Sequence, residues 1–144
     1  MRNGAIALSL LLTACASGPQ GTSVGHPAAQ IAGAWKLDSI AGVPVLSGTN
    51  PTLTLTADDH ANGNGSCNAF GGSYTRAGDT LTFSQMISTM MACTRPGLTS
   101  EQVMGQEHRF MSALNGAVRA SQPETNALVL TTASGETLRF ERAP

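Results

Sequence analysis

Residues 63–74 read "GNGSCNAFGGSY", and the fold turns on how this stretch is read. Glycine stands at 63, 65, 71 and 72, with Cys67, Asn68, Phe70 and Tyr74 set among them. A phosphate cradle needs backbone amides at the start of a helix, with a Lys or an acidic partner. Here extended segments flank the glycines and no Lys follows. A cysteine nucleophile needs a base that makes thiolate, and neither His60 nor His108 stands in a Cys-His signature. Glycines within strands mark bends, bulges and close approach of backbones. The stretch therefore reads as β scaffold. Asn68 bonds neighbouring backbone or takes a left-handed angle, and Phe70 and Tyr74 supply buried area.

The flanking sequence agrees with a β reading. "AWKLDSI" (34–40) places Trp35, Leu37 and Ser39 on one side, and "PTLTLTA" (51–57) alternates Thr and Leu as a half-buried strand does. Asp58 and Asp59 form a turn rather than a catalytic carboxylate pair. "GGSYTRAGDTLTFSQ" is a hairpin turning at Ala77–Gly78–Asp79. "MISTMMA" (86–92) is a further extended run, and "NALVLTTASGETLRFER" is a second hairpin turning at Ser134–Gly135. Met86, Met90, Met91 and Cys93 carry soft donors suited to Cu(I), but a Met-rich strand is more often irregular core filler, and that is the reading taken.

Residues 99–115 behave differently. Thr99 precedes Gln102 by three positions, a capping-box pattern. Val103, Met104, Phe110, Met111 and Leu114 recur at helical spacing, and Asn115–Gly116 ends the run. The expected fold is α+β and mostly β: about seven to nine antiparallel strands in a curved sheet or partly open barrel, with one inserted helix at about 99–115.

The N-terminus belongs to targeting. Arg2 precedes an apolar run from Ala5 to Leu12 broken only by Ser9. It is shorter than the about 20 residues of a spanning helix and has the form of a secretory signal. It ends in Leu12-Thr13-Ala14-Cys15, which resembles a bacterial lipobox. Residues 1–14 are thus expected to be a lipoprotein signal peptide, with Cys15 lipidated (diacylglyceryl plus palmitate-type N-acyl) and anchoring the chain. Ala16 favours the outer membrane, facing the periplasm. Residues 15–29 are small, Gly- and Pro-containing, and read as a flexible tether in which His26 is merely solvated. Residues 30–144 form one domain by length. Without Arg2, seven basic side chains face nine acidic ones, a formal charge of −2. No basic patch suits nucleic acid or anionic lipid. No Cys/His cluster has ligand spacing, so no metal or organic cofactor is expected.

The motifs of the domain, taken in order, resemble the META domain, or HslJ-like, family. They are Trp35-Lys36-Leu37 with Ile40 and Gly42, "SCNAFGGSY" (66–74), Leu81-Thr82-Phe83, "STMMAC" (88–93), Glu107 with Phe110, and the closing Leu128 to Phe140. The Cys-Asn loop and the Met-Cys strand are specific as a pair. One departure is Ser66, where the family usually has Gly; a serine asks for a more ordinary backbone angle there. The resemblance implies an envelope lipoprotein or secreted protein linked to heat shock, motility or antibiotic tolerance, without a settled biochemical activity.

With Cys15 occupied by lipid in an oxidising compartment, Cys67 and Cys93 are expected to form a disulfide; two buried free thiols are the rival reading. Glu107 falls inside the apolar stripe of Val103, Phe110, Met111 and Leu114. Either the helix lies at a sheet margin and Glu107 reaches water, or Glu107 is buried as a structural tether. In the second case it needs donors, from backbone N–H groups around Cys67 to Phe70 or from an Arg. The functional expectation is a monomeric binding module that holds an envelope protein or small ligand in stress or antibiotic tolerance, without catalysis. The alternatives are a structural or protease-inhibitor-like module using an exposed loop near Thr94 to Gly97, and an enzyme with a dispersed site.

Overall fold

The computed structural model describes residues 31–144. The expected signal peptide (1–14), Cys15, the expected tether and His26 lie outside the described residues. The elements are β1 (Gly33–Ile40), β2 (Val43–Pro44), β3 (Thr52–Leu55), β4 (His60–Asn64), β5 (Ala69–Ala77), β6 (Thr80–Ser88), α1 (Ser100–Ala113), β7 (Ala117–Ser121), β8 (Ala127–Thr132) and β9 (Thr137–Arg142). All pairings are antiparallel between neighbours, and β9 returns to β1. The curved sheet therefore closes into an eight-stranded barrel, with β2 as a short flap on the end of β1. Among the described residues, the up-and-down order is interrupted by the β2 flap between β1 and β3 and by α1 between β6 and β7.

A barrel of this size is narrow enough for side chains to fill. The alternating residues of each strand do so: Trp35 and Leu37 from β1, Leu53 and Leu55 from β3, Leu81 and Phe83 from β6, Leu128 and Leu130 from β8, and Leu138 and Phe140 from β9. Phe110 of α1 enters this core and meets Phe70 edge-on at 5.6 Å and Phe140 at 6.0 Å between ring centroids. The helix thus plugs one end of the barrel.

The opposite end holds the N-terminal end of β1. There the Trp35 indole donates to the Ile31 carbonyl at 2.8 Å, and the Arg142 guanidinium lies 4.3 Å from the ring centroid. The Tyr74 hydroxyl donates to the Thr56 carbonyl at 2.7 Å. Burial raises the Tyr74 phenol above its ordinary value, and the negative charge of Asp59 adds to the effect.

The extended run at 86–92 is shorter than the sequence suggests, because β6 ends at Ser88. Core filling holds for Met86, which packs against the core, but Met90 is 97% exposed and Met91 58%. Beyond Ser88 the backbone leaves the sheet for the barrel rim, so alternation no longer aims these side chains inward.

Candidate functional site

The Gly-rich stretch is the β4–β5 hairpin. Asn64 pairs with Ala69, and the Gly65 N–H donates to the Asn68 carbonyl at 2.8 Å, so Ser66 and Cys67 form a two-residue turn. Such a turn with a positive φ at its first central position favours glycine there. Ser66 occupies that position at φ +109°, which overturns the expectation of a more ordinary angle. It is held there by the Asn64 side chain, which accepts the Ser66 N–H at 2.8 Å, and by Arg95, whose guanidinium donates to the Ser66 carbonyl.

α1 approaches this turn from above the barrel. Its N-terminus is fixed by a capping box: Thr99 Oγ1 accepts from Gln102 N–H, and Gln102 Oε1 accepts from Thr99 N–H. Val103, Glu107, Phe110 and Ala113 form its buried face. Glu107 is buried, and its Oε2 accepts from Cys67 N–H at 2.9 Å and Asn68 N–H at 2.8 Å. Its Oε1 accepts from Asn68 Nδ2 at 2.5 Å. In an ordinary hairpin turn the fourth residue's N–H returns to the first carbonyl; here the Asn68 N–H goes to the helix. Gly65 makes the approach possible, since a Cβ there would lie 2.6 Å from Glu107 Oε2. Gly63 does the same for the neighbouring strand, where a Cβ would lie 2.0 Å from the Thr52 carbonyl oxygen. The arginine near this site, Arg95, binds the Ser66 carbonyl.

Asn68 passes the connection on to the segment after β6. Its Oδ1 accepts from Met91 N–H at 2.7 Å and from Thr89 Oγ1 at 2.9 Å, while its Nδ2 donates to the Met91 carbonyl at 3.0 Å. A side-chain amide thereby takes the place of a neighbouring strand. The Thr89 N–H donates to the Ala69 carbonyl at 3.0 Å. Two residues after Met91, Cys93 is joined to Cys67 in a disulfide, with Cα atoms 5.9 Å apart. Neither sulfur is then available as a nucleophile or a Cu(I) ligand. Met90 sits between two pinned residues and projects into solvent.

Ile87, 75% exposed, stands on the outer face of β6, and with Met90 and Met91 it forms the ridge of exposed large apolar side chains in this region. Between it and His60 runs an open trough of about 550 Å³, floored by Gly71 and Gly72 and reaching Phe70 and Thr89. A bulge shapes it: Gln85 and Met86 stand opposite the single residue Gly72, and Gln85 has φ +55°. Beyond Thr82 no β7 residue pairs with β6, so Ser84 to Ser88 form an exposed strand edge. No charged side chain occurs from Thr80 to Thr94. The β6 side of this surface carries no charged residue; it is apolar at its crest and rigid at its base.

Sequence reasoning brings Cys67, Asn68, Cys93 and Glu107 forward, and the structure places all four in this one cluster. It misses Arg95, the Asn64 turn and the exposure of Met90. The signal for the last is the end of strand alternation at "STMM", where two methionines follow one another. His60 and Asp58 are exposed and 3.9 Å apart, and His108 is exposed on α1.

The META domain profile matches residues 29–144. A protein from Burkholderia xenovorans solved by NMR is 26% identical, with a TM-score of 0.62 over 92% of this chain and 99% of that one. A DUF4847 family protein from Bacteroides vulgatus, solved as a crystal structure, shares the fold at 15% identity and a TM-score of 0.53, covering 79% of this chain and 94% of that one. No curated protein matches. With the profile spanning the whole described domain, this chain belongs to the META domain family.

Proposed function

We propose that this chain is a lipid-anchored envelope protein whose META domain is a binding module for another envelope protein or a small ligand, acting without catalysis in stress or antibiotic tolerance. The observation that carries the binding reading is the ridge of Ile87, Met90 and Met91. Three large apolar side chains stay exposed although the backbone beneath them is fixed, at Ile87 by pairing with Gly71 of β5 and at Met91 by Asn68. Flexible apolar side chains of this kind recur at binding surfaces, and contiguous exposed apolar patches mark interaction sites. Strain at Ser66 and a buried carboxylate at Glu107 support the same base, so the fold sets costly features beneath this surface. The groups nearest to a catalytic set are engaged structurally: Glu107 by three donors, and Cys67 and Cys93 by each other.

The anchor at Cys15 rests on the lipobox-like sequence. Mass spectrometry of the mature protein is expected to find a lipid-modified Cys15 at the N-terminus, and Cys15→Ser to abolish membrane partition. An unmodified N-terminus at or beyond residue 16 refutes the anchor. The binding reading is tested by a photo-crosslinking residue at 90 in intact cells, against the same residue at exposed Ala77 on the far end of the barrel. Adducts specific to position 90 are expected; equal patterns at both positions refute the docking ridge.

A further inference from the structure

We infer that Met90 and Met91 make this ridge an oxidation-sensitive switch. Hydrogen peroxide converts their thioethers to sulfoxides, turning the docking surface polar while the fold stays intact. The inference rests on the docking reading above and deepens it by naming a modification and what it regulates.

The two methionines are set apart from the other three among the described residues. Met86 and Met111 are partly buried against the core and Met104 is half-buried, whereas Met90 and Met91 are exposed. Sulfoxide formation follows access to the sulfur. A thiol would compete for the oxidant, but Cys67 and Cys93 are already joined. The exposed thioethers are therefore the readily oxidised sulfur of the described chain. In the step itself, a sulfur lone pair attacks one peroxide oxygen, an S–O bond forms and the O–O bond breaks. The departing hydroxide takes the proton carried by the oxygen now bonded to sulfur and leaves as water, so sulfur is oxidised by two electrons and peroxide is reduced.

Oxidation of a core methionine disrupts packing. Here the geometry separates the two consequences. Met91 is held through its backbone N–H and carbonyl, which bond Asn68, and Thr89 is held through its N–H and its hydroxyl. None of these bonds uses a thioether, so a sulfoxide at 90 or 91 leaves them in place. What changes is the crest, from apolar to strongly hydrogen-bond accepting. The uncharged run from Thr80 to Thr94 offers no other group to hold a partner by charge.

The test uses the full chain carrying Cys15→Ser, so that no lipid contributes to the readout, and a phenyl matrix as the apolar probe. Graded peroxide followed by peptide mapping is expected to oxidise Met90 first and Met91 next, both several-fold faster than Met86, Met104 and Met111, with no change in melting temperature. Retention on the matrix is expected to fall to that of a Met90→Gln/Met91→Gln variant and to return after treatment with methionine sulfoxide reductases A and B. A Met90→Leu/Met91→Leu variant is expected to keep its retention in peroxide. Equal oxidation rates at Met86, Met90, Met91, Met104 and Met111, or a drop in melting temperature on oxidation of Met90, overturns the inference. Photo-crosslinking in cells from exposed position 88, which leaves both methionines in place, separates it from the docking reading. If adducts persist in the Gln variant, docking at the ridge is wrong. If they vanish in the Gln variant but survive peroxide treatment, only the switch is wrong.

Discussion

The two ends of the barrel are closed by different kinds of interaction. At the end where β1 begins, closure is mostly apolar: Trp35 fills the space, Ile31 lies four residues before it, and Arg142 stacks outside. At the helix end, long-range polar bonds join the apolar plug of Phe110. Glu107 bonds residues 39 and 40 positions away, Asn68 bonds Met91 across 23, and a disulfide joins residues 26 apart. The first end needs only a large side chain at the right strand position. The second needs several groups to arrive together, and it is the end that carries the exposed ridge.

The comparison is tested most severely at Trp35. Trp35→Ala leaves a cavity in the sealed end and is expected to lower stability by about 3–5 kcal/mol. A cost near zero in a denaturant melt breaks the account of that end. At the other end, replacing both Cys67 and Cys93 by Ser is expected to lower stability by up to about 3.5 kcal/mol, the chain-entropy value for a loop of this size. Thiol counting on unfolded, unreduced protein should find no free thiol from these two residues.

Glu107→Ala strands two backbone donors and an amide, an expected loss of about 1–3 kcal/mol. Glu107→Gln is expected to lose less, because its carbonyl oxygen still accepts. If the alanine variant melts with the parent, the polar closure does not hold the helix. Ser66→Gly runs the other way. Relief of the positive φ, less the added freedom of glycine in the unfolded chain, is expected to raise stability by about 1 kcal/mol. A loss instead would show that the serine hydroxyl, 3.5 Å from Gln106 Nε2, outweighs the strain.

The smallest effect belongs to the sealed end. The phenol of Tyr74 is raised in the folded state, so its contribution is fully present below its ordinary value of about 10 and is lost as pH rises through the higher folded value. Tyr74→Phe is expected to flatten the alkaline limb of stability against pH. An unchanged limb means that other groups govern it.

The difference between the ends also explains what can be read from the chain. Strand alternation shows Trp35, Leu37, Leu53 and Leu55 as one inward row, because each strand reports its own face. The capping box at Thr99 and the two hairpin turns at Gly78 and Gly135 are equally local. Glu107 stands out only as a misfit in an apolar stripe; its donors lie about 40 positions earlier and nothing in the helix names them. Arg95 is less visible still, since an arginine before Pro96 in a loop looks solvated until the turn at Ser66 is beside it.

By itself, then, the sequence determined the β-rich class, the single helix with its start, and the inward residues of the strands. These depend on interactions within a few positions of one another. The tertiary structure alone decided that the sheet closes, that Ser66 must take a glycine-like angle, and that Met90 faces water. Each depends on contacts between segments that are distant in the chain. The Asn68 amide binds the Met91 backbone, and that bond, rather than the hydrophobicity of the methionines, sets where they point.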